Sequence, residues 1–541
     1  MADIDSFFIR TEDVPSDKLL DLFVETVRDR QVVDSLKSAT PTVLVGSRGV
    51  GKSFLLRVAV SELKKTLEQN KVFPVYVSFT KSSLVQCANP DQFHFWMLAK
   101  ICNAILRALT REGLLVRIPI EAKVLAGGQA IQAESAPSRL ELIENRFETF
   151  WLEPTQEINT GAVPDVDALK DAAEDLCTKL SLSRIALFID EAAHVFIPQQ
   201  QRSFFTLFRD LRSPYITCNA AIYPGVTSYG ESFRPAHDAT FISVDREVMA
   251  DGYIANMREI VEKQASSEVL KHIERNGQNF ATLAYAASGN PRLLLKTLAK
   301  AQKVSSSEIN EIFRTFYRSE IWAEHSVLAE KYPGHKRLVD WGRNFVESVV
   351  LPEIQKKNIQ NLDVDKSTSS FFWVQRDAPI GVKHALQILC YTGIVSEHSV
   401  GMKATRAEIG TRYAVNLGCL FAQKQNPAIT AFQIAKQLSI KRMTEFGAAH
   451  PAFADLRDVK DSLEDIAVNR AALAAQLEKP IGVLDITPWQ KSKLSELQLV
   501  TVRDVLKMKE QDLMKADYIG NVRARQMRNA AEAAIFEYLS G

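Results

Sequence analysis

Gly46-Ser47-Arg48-Gly49-Val50-Gly51-Lys52-Ser53 lies between two apolar runs, and its reading decides the fold. The octet fits GxxxxGK[ST], the phosphate-binding P-loop. Upstream, Thr42-Val-Leu-Val45 is short, apolar and β-branched, which predicts a buried strand. Downstream, Phe54-Leu-Leu-Arg-Val-Ala-Val60 predicts the apolar face of a helix. Strand, glycine-rich turn and helix form the context the motif needs. Gly46, Gly49 and Gly51 let the backbone amides of the loop, through Phe54, turn toward a phosphate without a clashing Cβ. The helix N-terminus adds its dipole. Lys52 is expected to reach the β- and γ-phosphates of ATP, and Ser53 to hold Mg²⁺ through its hydroxyl.

Arg184-Ile-Ala-Leu-Phe-Ile-Asp190-Glu191 is the second signal. An apolar run ends in two acids, as a Walker B strand does. This predicts Asp190 in the Mg²⁺ shell beside Ser53, and Glu191 as the base that orients and deprotonates an attacking water. Between the two motifs, Val72–Phe79 reads as a core strand. Phe93, Met97, Ile101, Ala104, Ile105 and Ala108 fall on one helical face, an apolar stripe that reads as core. Residues 115–180 are less regular, with helical stretches near 139–150 and 166–180, and read as an insertion. Tyr215–Ile222 and Thr240–Val244 predict two further strands. The alternation of strands and helices is that of a doubly wound parallel α/β sheet. Residues 249–305 read as helical. Within them, Ser288-Gly-Asn-Pro-Arg292 ends one helix and starts another. Arg292 at a helix N-terminus is poorly placed for a cation unless an anion is near.

P-loop, Asp-Glu strand end and a helical lid with a Gly-Asn-Pro-Arg turn together resemble AAA+ ATPases. The resemblance covers about residues 37–305 and is closest to the origin-recognition/initiator clade and the related signal-transducing ATPases. It implies ATP and Mg²⁺ as cofactors, slow hydrolysis, and self-association in the ATP state. It also implies three roles: Arg292 as sensor 2 on the γ-phosphate, Thr227 as sensor 1 after the fourth strand, and Arg234 as an arginine finger acting on a neighbouring subunit.

Beyond the lid, the stretch from Ala378 to Ser396 reads as a helix ending near Gly393. A strand, a turn at Val400-Gly401 and a strand over Arg412-Tyr-Ala-Val follow. This unit looks like a winged helix, with Lys403, Arg406 and Arg412 on or near the wing. Residues 426–480 read as an alanine-rich helical connector. The closing stretch, Leu513 to Arg528, resembles a helix-hairpin-helix of the kind in the C-terminal domain of the bacterial RNA polymerase α-subunit. Tyr518 stands in place of its first glycine and Gly520 keeps the second. Gly520, Arg523, Arg525 and Arg528 are then expected to grip DNA phosphates without reading bases. The alternative is a protein-docking domain with solvated cations.

The expected organisation is a helical lead (1–36), an ATPase core (37–248), a lid (249–305), a winged-helix-like domain (306–425), a connector (426–480) and a hairpin domain (481–541). Lys+Arg 66 against Asp+Glu 65 excludes a polyanion-binding protein by overall charge, so any DNA surface must be local. None of the six cysteines forms a CxxC pair, which argues against a zinc knuckle. Core thiols, an acidic N-terminus and no bilayer-length apolar run predict a cytoplasmic protein. The leading expectation is an ATP-driven switch on DNA, as initiation, transposition control or defence against mobile DNA would use. The alternative is a signalling ATPase whose C-terminal domains bind protein.

Overall fold

A computed structural model describes residues 7–85, 91–115, 119–128, 137–150, 158–192, 198–225, 227–404, 408–423, 427–459 and 475–539. Arg406, His194 and Cys87 lie outside them.

Five parallel strands form the first sheet: β1 (Thr42–Val45), β2 (Val72–Ser78), β3 (Arg184–Asp190), β4 (Ile216–Ile222) and β5 (Thr240–Ser243), in the order β2-β3-β4-β1-β5. The central strands are apolar on both faces because both faces are covered. Val43, Leu187 and Ile189 pack with the helices Asp91–Arg111, Val166–Lys179 and Pro198–Asp210. Their alternates Leu44, Ala186 and Phe188 pack with Val27–Lys37 and Lys52–Lys65 on the other side. β1 lies between β4 and β5, and its exit loop therefore opens at the carboxyl edge where connections diverge. Helix Arg139–Thr149 of the expected insertion is tied to Asp91–Arg111 by buried polar contacts, with Asn103 donating to Glu144 at 2.6 Å and Lys100 to Glu144 at 3.1 Å.

The chain then builds the helical lid from Tyr253–Glu262 to Pro291–Lys300, followed by long helices over 306–331 and 336–362. A second sheet has the order β7-β8-β6-β9, from β6 (Phe371–Gln375), β7 (Val395–Lys403), β8 (Ile409–Val415) and β9 (Thr444–Phe446). Three expectations change here. The turn is not at Val400-Gly401: β7 runs through it, and the connection to β8 follows Lys403, where Ala404 donates to Glu408 at 2.9 Å. Gly401, at φ +71°, instead accompanies a register shift of β7 against β8. A glycine in the left-handed region serves a bulge as well as a turn. Phe371-Phe-Trp-Val, not expected as a strand, is the buried β6 that pairs antiparallel with β8. The stretch read as a helical connector contributes β9, which pairs in parallel with β6.

The C-terminal unit packs Leu484, Leu494, Val502, Val505, Leu513, Ala524 and Met527 into a separate small core. Its hairpin differs from expectation at the glycines. Tyr518 takes the left-handed conformation (φ +64°), whereas Gly520 does not, and a Cβ at Gly520 would meet nothing within 4 Å. Among the described residues no helix is long and apolar enough to cross a membrane.

Candidate functional site

The carboxyl edge of the first sheet gathers the site. Gly51, at φ +102°, turns the chain into helix Lys52–Lys65. Gly46 allows the loop to close, because a Cβ there would stand 2.7 Å from Val50 and 2.8 Å from Val244. Lys52 is buried, and its Nζ donates to the carbonyls of Gly46 (2.6 Å) and Ser47 (3.0 Å). Burial brings its ammonium down to about 8, against the pull of Glu191, Asp245 and Asp190.

β3 delivers both acids. Asp190 is buried, accepts the Glu191 amide at Oδ1 (3.0 Å) and accepts the Tyr76 hydroxyl at Oδ2 (2.5 Å). Glu191 has a left-handed backbone, at φ +54°. Burial and then the Asp190 charge push its carboxyl up to about 7, while Arg48, Lys52 and the Tyr223 hydroxyl oppose the rise. That is the range suited to a general base at neutral pH.

The lid closes on this loop. Asn290 Nδ2 donates to the Arg48 carbonyl at 2.6 Å, and the Arg292 amide donates to the Gly49 carbonyl at 3.3 Å. Gly49 (φ +86°) sits so close that a Cβ would lie 2.7 Å from both Arg292 Cβ and Asn290 Oδ1. Arg292 also donates from Nε to the Ile9 carbonyl at 3.3 Å. The result is a cavity of about 430 Å³ lined by the loop from Arg48 to Leu55, by Asp190 and Glu191, and by Arg292. That size suits a small-molecule site. The donor chemistry fits Mg²⁺: the Ser53 hydroxyl and the Asp190 carboxylate are hard oxygens, and both residues line the cavity. Magnesium in phosphate sites takes one or two protein oxygens and fills the rest with phosphate and water.

The other expected residues fall elsewhere. The Thr227 hydroxyl donates to the Tyr223 carbonyl at 3.1 Å, and Thr227 does not line the cavity. Arg234 is exposed before the short helix Pro235–Asp238, also outside the cavity. Lys403 is exposed at the end of β7. Arg412 is buried: it donates to the Ile440 carbonyl (2.8 Å) and the Ser399 hydroxyl (3.2 Å), and its guanidinium covers the Phe371 ring at 5.3 Å. It lies on the face of β8 opposite Tyr413 and Val415, where Phe371, Ser399 and Ile440 cover it, so the expected wing cations lose Arg412 and keep Lys403. In the hairpin unit, Arg523 donates to the Tyr518 carbonyl (2.9 Å) and lies over Trp489 (5.0 Å). Arg525 is 3.8 Å from Glu510, while Arg528 donates to the Met508 carbonyl (2.8 Å) and pairs with Glu532 (3.2 Å).

Four features of the site lay beyond sequence reasoning. Tyr223, at the exit of β4, donates to Glu191 Oε1 at 3.0 Å and lays its ring 4.1 Å from Lys52 Nζ. Arg246, after β5, donates to the Val50 carbonyl at 2.9 Å, and neighbouring Asp245 accepts the Ser47 amide at 3.4 Å. Their place after a core strand was the available signal. The N-terminal turn Thr11–Asp13 forms a wall, tied down by Arg57, which donates to the Thr11 and Val14 carbonyls. The C-terminal helix Asn521–Leu539 completes the rim: Asn529 donates to Asp13 at 2.9 Å, and Glu532 lines the cavity. Nothing local in the chain joins residue 13 to residue 529.

Residues 8–111, which include the P-loop, match the ORC-CDC6-like family model, in agreement with the resemblance of the motifs. No curated protein matches the chain. Among solved structures, the Aeropyrum pernix ORC1 protein in complex with DNA is similar at 14% identity, covering 79% of this chain and 96% of that one, with a TM-score of 0.29. The Aeropyrum pernix ORC2 protein, in ADPNP and ADP complexes, is similar at 11% identity over 76% and 91%, with a TM-score of 0.30. AMPPCP-bound DnaA from Aquifex aeolicus is similar at 13% identity over 66% and 93%, with a TM-score of 0.26.

Proposed function

We propose that this chain, with its ORC-CDC6-like segment 8–111, is an ATP-binding and hydrolysing switch that controls assembly on DNA. One observation carries the nucleotide half of the reading. Lys52, Ser53, Asp190, Glu191 and Arg292 come from separate stretches of chain and line one cavity. In this reading the loop amides and the helix N-terminus bind the phosphates. Lys52 and Arg292 stabilise charge on the γ-phosphate, and Glu191 takes a proton from the attacking water. Ser53 and Asp190 hold Mg²⁺, which supplies neutralisation of phosphate charge when bound. Arg234, exposed and outside the lining of its own cavity, is read as a finger that acts on a neighbouring subunit in a self-associated state. Thermal melting with and without Mg-ATP tests the site. Ligand at about 100 times its dissociation constant stabilises by roughly 2.7 kcal/mol, and Lys52→Ala should lose that shift while keeping the fold. A shift retained in the mutant sinks the assignment.

The DNA half rests on the origin-recognition resemblance and on exposed cations such as Lys403. Its test is DNA affinity of the full chain with and without ATP. The internal partners of Arg412, Arg523 and Arg528 favour the second reading, in which the C-terminal units bind protein. Absence of DNA binding in both nucleotide states would select it.

A further inference from the structure

Tyr223 touches two charged groups of opposite sign in the nucleotide site, Glu191 and Lys52. Its hydroxyl donates to Glu191 Oε1 at 3.0 Å, and its ring covers Lys52 Nζ at 4.1 Å. On its other side, 5.3 Å away and edge-on at 76°, lies Tyr391. Tyr391 belongs to helix Ile380–Thr392 of the second-sheet domain. The helix is close along this whole edge. Gly225, two residues after Tyr223, has φ +90°, and a Cβ there would stand a tight 3.0 Å from the Gln387 carbonyl oxygen. Past the helix end, a Cβ on Gly393 would lie 3.8 Å from Ser47 Cβ of the P-loop. The same domain reaches the lid turn, where the Leu417 amide donates to the Ser288 hydroxyl at 2.7 Å. The helix end is pinned in turn by His325, whose Nδ1 is 3.1 Å from the Thr392 hydroxyl.

We propose that Tyr223 is a positioning residue that restrains Glu191 away from water, and that docking of helix Ile380–Thr392 through Tyr391 keeps the restraint in place. The proposal rests on the ATPase reading above and adds its control. A base must offer a free lone pair to the water it deprotonates. Here one carboxylate oxygen of Glu191 is already occupied by a hydroxyl donor. The glutamate also carries a left-handed backbone, which a non-glycine residue keeps only where its surroundings hold it. Those surroundings are Asp190 on its own strand end, Lys52 and Arg48 on the P-loop, and Tyr223 just past β4. Arg48 is tied to the lid through Asn290, whereas Tyr223 meets the second-sheet domain, by a ring packing that a rigid shift of that domain would break. Movement of the second-sheet domain, as on binding a partner, thereby frees the base.

The test is steady-state ATP hydrolysis by the full chain. Tyr223→Phe removes the hydroxyl and keeps the ring over Lys52. It should raise kcat by about tenfold, the value of one hydrogen bond to a charged group, with KM for ATP unchanged. Tyr391→Leu, which leaves the site itself intact, should raise kcat in the same direction. The double variant should be no faster than the faster single, because both act on one contact. Adding Glu191→Gln should silence all of them. A kcat that falls or stays level in Tyr223→Phe, or gains that multiply in the double variant, overturns the restraint while leaving the ATPase reading standing. Turnover indifferent to Glu191→Gln overturns the ATPase reading itself, and this proposal with it.

Discussion

The nucleotide cavity and the C-terminal hairpin both bring arginines and carboxylates together, but they use them in opposite ways. At the cavity, Lys52, Asp190, Glu191 and Arg292 arrive from separate stretches and turn toward a common space of about 430 Å³. In the hairpin, Arg523, Arg525 and Arg528 are neighbours in the chain and turn away from one another, toward Tyr518, Glu510 and Met508. Clustering along the chain is therefore no measure of convergence in space. The difference follows from the elements that carry them. Parallel strands end at one edge, so their terminal residues meet there. A helix turns successive residues about 100° apart, so Arg523, Arg525 and Arg528 face different neighbours.

The comparison breaks most visibly at Glu191. Glu191→Gln keeps the shape and removes the base, so turnover should fall by about 10²- to 10⁴-fold while ATP still shifts the melting curve. Wild-type turnover in a single-turnover assay would mean that the cavity does not converge on a reacting water.

The second-sheet domain gives the next largest effect, through histidines buried as packing groups. His325 is fully buried, with Nε2 3.3 Å from the Val339 carbonyl, and burial drives it down to about 4. His335, also buried, is driven to about 4 by burial. In each case the folded value lies below the unfolded one, near 6.5. As pH falls from about 6.5 to 4, the unfolded chain takes the proton first and stability drops. Above about 6.5 the stability is fully present. The loss approaches about 3 kcal/mol for each histidine. Denaturant melts at about pH 7 and about pH 4.5 should show it, and His325→Gln should flatten the acid dependence. An unchanged pH slope in that variant would remove His325 from the explanation.

Gly49→Ala sharpens the comparison at the lid. Both its positive φ and the 2.7 Å approach of Arg292 and Asn290 forbid a Cβ. The change should cost about 1–3 kcal/mol and separate the lid turn from the loop, so the ATP-induced melting shift should shrink. Unaltered melting with and without Mg-ATP would show that the lid contact is dispensable.

The smallest effect is expected in the hairpin. If Arg523 and Arg525 leave their internal partners to reach DNA phosphates, the double alanine variant should lower the salt slope of DNA affinity by about 0.9 for each phosphate no longer neutralised. The weakening should be similar for all DNA sequences. An equal slope and equal affinity would keep both arginines as parts of the hairpin and favour a protein partner.

How much of this was readable depended on distance along the chain. The P-loop and the Asp190-Glu191 strand end were legible because their chemistry needs contiguous residues on a strand exit. Arg292 was legible from the helix start at Asn290-Pro291. Gly401 was readable as a positive-φ position but not as a bulge, since a turn asks the same of the backbone. Arg412 read as a wing cation, and only the packing of β8 beside Phe371 showed it to be buried.

By itself, the sequence determined the identity of the phosphate loop, the acids at the end of β3 and the parallel α/β class, because backbone geometry and strand periodicity are local properties. Only the tertiary structure decided that Tyr223 stands between Glu191 and Tyr391, and that Asn529 meets Asp13 across the cavity rim. Those contacts join residues between 32 and 516 positions apart. They exist because separate units pack against the carboxyl edge of one sheet, and a hydroxyl or an amide carries no mark in the chain of the partner that packing will bring to it.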